Sequence, residues 1–138
     1  MTAVSEFRKL IANHPVGKSL EISLWPGTTR RSYHLLEINT RKKSTVLYVK
    51  ENNSSPGFWG LTKNQLDQLD KAQVRWFAVL LSKSNDTGYV LSSNEVKSRV
   101  QDGTFELSKD GDHKVNERTD LNSNMAFRGI KDLLAIVL

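Results

Sequence analysis

Apolar and polar residues alternate along this chain in two rhythms, and the switches between them predict its elements. Val4, Phe7, Leu10 and Ile11 recur at helical spacing, so residues 4–13 read as an amphipathic helix stopped by His14-Pro15-Val16-Gly17. From Lys18 to Trp25 the rhythm becomes twofold. Leu20, Ile22 and Leu24 fall on one face and Glu21 and Ser23 on the other, as in a strand. Pro26-Gly27-Thr28-Thr29 supplies a turn, and a second strand follows at Ser32–Asn39. A polar turn at Thr40–Ser44 leads to a third strand, Thr45–Lys50. Three strands with short polar connections predict an antiparallel meander.

Beyond Lys50 the punctuation is denser. Residues 51–60 carry Pro56, Gly57 and Gly60 and read as a tight, irregular loop. Thr62 suits the cap of a helix running to about Lys71, with Leu61, Leu66 and Leu69 on one face. Arg75–Leu81 (RWFAVLL) is almost continuously apolar, as expected of a strand covered on both faces. Lys83–Gly88 reads as a turn, Tyr89–Leu91 as a short strand, and Ser93–Val100 as a helix capped by Ser93 with Val96 and Val100 inward. Asp102-Gly103 and Asp110–Asp112 bracket a strand at Thr104–Ser108. Asp120 caps a turn leading to Met125–Leu134, and the apolar end LLAIVL docks on the core. No repeat, linker or low-complexity segment interrupts the chain, so the pattern predicts one α+β domain over residues 1–138.

Composition agrees with that picture and narrows the chemistry. With 138 residues, 38% hydrophobic and 25% charged, the chain can bury a core and is not a disordered segment. It has no cysteine, which excludes disulfides, thiolate catalysis and Cys-based zinc sites. MTAVSEFRKLI lacks the apolar stretch of a signal peptide, and no apolar run reaches the roughly 20 residues that cross a bilayer. A cytoplasmic protein without membrane association is the expectation.

Charge is distributed unevenly. Of the net +5, residues 1–50 carry +6 and residues 51–138 carry −1. The excess gathers at Arg30, Arg31, Arg41, Lys42 and Lys43, which flank the second strand. Brought together, these side chains would make a positive field suited to phosphates; left apart, they are the solvated ends of a hairpin.

The order helix, three strands, helix, strand, with a lysine ending the third strand, resembles the core of the PD-(D/E)xK nuclease-like superfamily. The resemblance covers about residues 4–81, with 82–138 as a C-terminal extension, and it implies a restriction-endonuclease-like core: a central mixed sheet with flanking helices. In that family an acid on the second strand and an E-x-K on the third hold Mg2+, which activates a water and neutralises charge on the phosphate. Carried over, Glu37 takes the first-acid role and Lys50 the lysine role. The E-x-K acid slot holds Tyr48, and a protonated phenol is a poor Mg2+ ligand. Glu51 or Glu21 would then complete the metal set with Glu37, and Gln65 matches a glutamine found on the family's helix. Each has a plainer reading as well: Glu37 and Glu51 as solvated carboxylates, Lys50 as an edge charge, Gln65 as a helix former.

In Pro56-Gly57-Phe58-Trp59-Gly60, the adjacent aromatics Phe58 and Trp59 can form a stacking platform for a base, with Trp59 as the nucleic-acid contact, or a plug into the core. His14, His34 and His113 share no metal spacing, and Asp110-Gly111-Asp112-His113 reads as a turn. No phosphate-cradling glycine motif occurs. The expectation is a nucleic-acid-binding protein, DNA rather than RNA, on a nuclease-like scaffold. It would act either as a Mg2+-dependent endonuclease or nuclease subunit or without catalysis. The alternative is a non-catalytic protein-interaction module of the same fold. A homodimer or a protein partner is compatible with either.

Overall fold

Val4, Phe7 and Ile11 bury one stripe of the first helix, α1 (Ala3–Asn13), against a sheet whose strands come from most of the chain's length. The computed structural model describes residues 3–15, 20–28, 32–52, 56–82 and 86–138. After α1 come β1 (Glu21–Leu24), β2 (Leu35–Asn39), β3 (Ser44–Lys50), β4 (Phe58–Thr62), α2 (Lys63–Ala72), β5 (Trp76–Leu81) and β6 (Thr87–Ser92). The chain continues as α3 (Ser93–Gln101), β7 (Asp112–Asn116), the single turn α4 (Glu117–Asp120), a 3-10 turn at Ser123–Met125, β8 (Ala126–Arg128) and α5 (Ile130–Val137).

Six strands form a mixed sheet in the order β1-β2-β3-β5-β6-β8, so the protein is α+β with a central mixed sheet and flanking helices. β1, β2 and β3 are the antiparallel meander that their short connections demand. β5 then pairs with β3 in parallel, Tyr48 beside Ala78 and Lys50 beside Leu80. A parallel neighbour needs a crossover connection, and α2 lies in the intervening segment. β4 and β7 form a separate two-stranded ribbon with Trp59 opposite Val115 and Thr62 opposite Asp112.

Each face of the sheet has its own core. Leu36, Ile38, Leu47, Val49, Val79 and Leu81 point towards α1 and α5. The alternate residues Leu35, Val46, Tyr48, Trp76, Ala78 and Leu80 point towards α2, α3 and the ribbon. That is why RWFAVLL carries no polar alternation: β5 is covered on both sides.

Four predicted elements lie elsewhere, each for an identifiable reason. The segment 51–60 is not all loop, because Phe58–Thr62 finds its partner in β7, about fifty residues away in sequence. Thr104–Ser108 is not a strand; only Leu107 makes an isolated bridge, to His113, and the strand begins at Asp112. The cap of α3 is Ser92 rather than Ser93, since Ser92 Oγ accepts from the Glu95 N–H while the Glu95 carboxylate accepts from the Ser92 N–H. Met125–Leu134 is not one helix. Ala126–Arg128 pair with β6, and Gly129, at φ +84°, lets the chain turn before α5 starts.

Candidate functional site

β3 carries Lys50 at its C-terminal end and delivers Arg41, Lys42 and Lys43 through the turn at its start, so one strand separates two charged regions. Alternation puts Val46, Tyr48 and Lys50 on the same face. Glu37 shares that face, but it lies opposite Val46, while the residue opposite Tyr48 is Leu35. Four residues of strand therefore separate Glu37 from the level of Lys50, roughly 13 Å at the usual rise per residue. The two side chains share a face and do not meet.

Tyr48 is fully buried, and its phenol accepts a 2.9 Å hydrogen bond from the Thr62 N–H at the start of α2. Burial holds the phenol above its ordinary pKa, so it is protonated at neutral pH. The acid slot thus holds a protonated phenol and its cross-strand partner is leucine. With Glu37 displaced along the strand, these residues do not fit a Mg2+ site. Among the described residues no group of three or more His, Asp or Glu is arranged to hold a metal ion.

The Glu51 carboxylate accepts a long 3.4 Å bond from the Val4 N–H in the first turn of α1. An acid at a helix start is a stabilising placement on its own account. Glu21 is exposed on β1, opposite Asn39, and so belongs to the hairpin-turn end of the sheet. Gln65 is half-buried in the first turn of α2.

The neighbours Lys50 does have come from an element that local sequence patterns do not connect to it. Its ammonium, half-buried and 5.7 Å from the Tyr48 ring centroid, is pulled below the ordinary lysine range by burial; Asp112 and then Glu51 oppose that shift, while Lys114 adds to it. Asp112 and Lys114 lie on β7, and the Asp112 carboxylate passes so close over Gly60 that a Cβ there would sit 2.7 Å from its Oδ2. Lys114 pairs with Asp110 at 2.9 Å and with Asp112 at 3.9 Å, and its ammonium lies 5.7 Å from the Phe58 ring centroid. Lys50 and Lys114 are thus surrounded by Asp110, Asp112 and Glu51, which leaves this end of β3 without a positive excess. His34, whose Nδ1 donates to the Val49 carbonyl at 2.8 Å, is pulled below its usual pKa by burial and then by Lys50.

The other end of β3 is cationic. Thr40 organises the turn: its Oγ1 accepts from the Lys42 and Lys43 N–H groups, and its own N–H donates to the Lys43 carbonyl. Arg41, Lys42 and Lys43 are exposed there, with the Lys43 ammonium 2.9 Å from the Leu138 carbonyl. Arg75, just before β5, joins them. Its guanidinium lies over the Phe77 ring and donates to Thr45 Oγ1 at 2.6 Å and to the Val137 carbonyl at 2.5 Å. Arg41, Lys42, Lys43 and Arg75 gather at this end; Glu21 and Glu37 lie there too, with Glu37 engaged by the Asn39 amide. Arg30 and Arg31 lie outside the described residues.

Trp59 is not a stacking platform. It is 1% exposed, donates from Nε1 to the Leu81 carbonyl at 2.9 Å and packs edge-on against Tyr89. Its neighbour Phe58 is the exposed aromatic of that pair. Alternation along β4 makes the choice, turning Phe58 outward and Trp59 inward. No helix among the described residues is long and apolar enough to cross a membrane. In comparisons with known protein families and with curated proteins, no family model and no curated protein matches this chain.

Proposed function

We propose that this chain is a nucleic-acid-binding protein on a nuclease-like scaffold, and that it holds phosphates without hydrolysing them. The observation that carries the reading is the cationic end of the β2–β3 hairpin, where Arg41, Lys42 and Lys43 stand exposed beside Arg75. Exposed cations grouped at one end of a sheet attract a polyanion through released counterions. The nuclease-like part rests on the element order, with β5 parallel to β3 after a helix. The non-hydrolytic reading is supported by Tyr48 in the acid slot of that scaffold and by Glu37 lying out of reach of Lys50. DNA is the expected polyanion.

The test is binding of a fluorescent duplex DNA across a salt series, with and without Mg2+. Affinity should fall steeply with salt, and the triple variant Arg41→Ala, Lys42→Ala, Lys43→Ala should flatten the log–log slope by about 2–3, near 0.9 per lost phosphate contact. The DNA should stay intact in Mg2+. A slope unchanged by the triple variant would remove the binding reading. Mg2+-dependent cleavage abolished by Lys50→Ala would remove the non-hydrolytic one.

A further inference from the structure

We propose that the cavity between α2 and α3 binds a small, uncharged nitrogen heteroaromatic of the purine type. The cavity holds about 310 Å3, at the lower end of the range for small-molecule pockets. Leu66 from α2 and Val96 and Val100 from α3 give it apolar walls, and Trp76 and His113 also line it.

Both of those last residues bring a polar atom without a protein partner among the described residues. His113 is 7% exposed, and its Nδ1 lies 2.8 Å from the Phe105 carbonyl. A carbonyl only accepts, so Nδ1 carries the proton, and in the neutral ring Nε2 is left as a bare acceptor. Trp76 is 2% exposed, and no protein acceptor meets its indole N–H among the described residues. No fully enclosed side-chain nitrogen or oxygen among the described residues lacks a partner. Nε2 and the indole N–H therefore meet open space, and the space both residues line is this cavity.

The rim fixes the charge of the occupant. Lys63 pairs with Asp67 at 2.7 Å along α2, and Lys97 pairs with Asp70 at 2.6 Å across the two helices. These four charges neutralise one another, so an ionic ligand would have to break a pair to be compensated. A flat ring with apolar faces, one N–H for His113 and one acceptor for Trp76 matches both inward groups. A purine offers both, with its further acceptors left for Gln101 in the lining and for solvent, and this site is separate from the cationic hairpin and its polyanion.

The closing experiment titrates the 15N-labelled full chain with theophylline, which has a ring N7–H, and with caffeine, which carries a methyl there. The readouts are the Trp76 indole N–H and the His113 ring signals. Theophylline should give saturable shifts at both, with caffeine about tenfold weaker for want of the donor. His113→Asn keeps a donor for the Phe105 carbonyl while removing Nε2, and should bring theophylline down to caffeine's level. Val100→Trp, at a half-buried position suited to filling the cavity, should abolish both. Equal affinities for the two purines, no saturable shift at millimolar concentration, or shifts indifferent to Val100→Trp would each overturn the proposal.

Discussion

The Tyr48 phenol and the Thr62 backbone N–H meet at 2.9 Å, so the side chain in the middle of β3's inner face ends on the first residues of a helix rather than on a cation. Tyr48→Phe leaves that part-buried N–H without its acceptor and should lower stability by about 1–2 kcal/mol in urea denaturation. Tyr48→Glu should cost more, because it places a carboxylate at a position with no solvent exposure. A Phe variant as stable as the parent would show that water replaces the phenol at no cost.

His34 gives stability a pH dependence of definite sign. Its pKa is lowered in the folded state, so the unfolded chain binds the proton more readily. The folded state is unpenalised above the ordinary histidine value of 6.5 and loses stability as pH falls through the lowered native value. The parent's advantage over His34→Gln in melting temperature should therefore shrink between about pH 7.5 and pH 5. A difference that stays constant over that range would contradict the assignment.

Asp110 is fully exposed, yet its carboxyl is lowered to about 2, by the Ser108 hydroxyl first and the Lys114 ammonium second. In a carbon-detected NMR titration, Ser108→Ala should raise that pKa towards 3.8, and Lys114→Met should raise it less. The opposite ranking would mean that the ion pair, not the hydroxyl, holds the carboxylate.

Ser92 and Ser93 test the register of α3. Ser92→Ala removes half of a reciprocal cap and should cost about 1 kcal/mol, whereas Ser93→Ala should change stability little. Thermal melts of the two single variants separate the cases, and equal losses would mean that the cap is shared.

What could be read beforehand was what short-range periodicity encodes. The α1 stripe of Val4, Phe7 and Ile11 and the doubly covered β5 each state their environment within a dozen residues, and the meander is written in alternating strands joined by short turns. The ribbon does not, because FWGLT acquires its inward and outward sides only through pairing with DHKVN far along the chain. For the same reason Asp112 and Lys114 could not be placed beside Lys50, nor Phe58 chosen over Trp59 as the exposed ring. The separation of Glu37 from Lys50 was hidden differently: alternation gives a shared face, and only cross-strand register gives distance along it.

The β4–β7 ribbon draws one strand from each half of the chain and is fastened to the main sheet by the indole of Trp59. A fragment cut after Leu81 would keep β4 but strip its hydrogen-bonding mate, and would bare one flank of β5 where β6 now lies. The front half is therefore not a free-standing module onto which a tail was added. The two halves are interlocked like a clasp, and neither closes without the other.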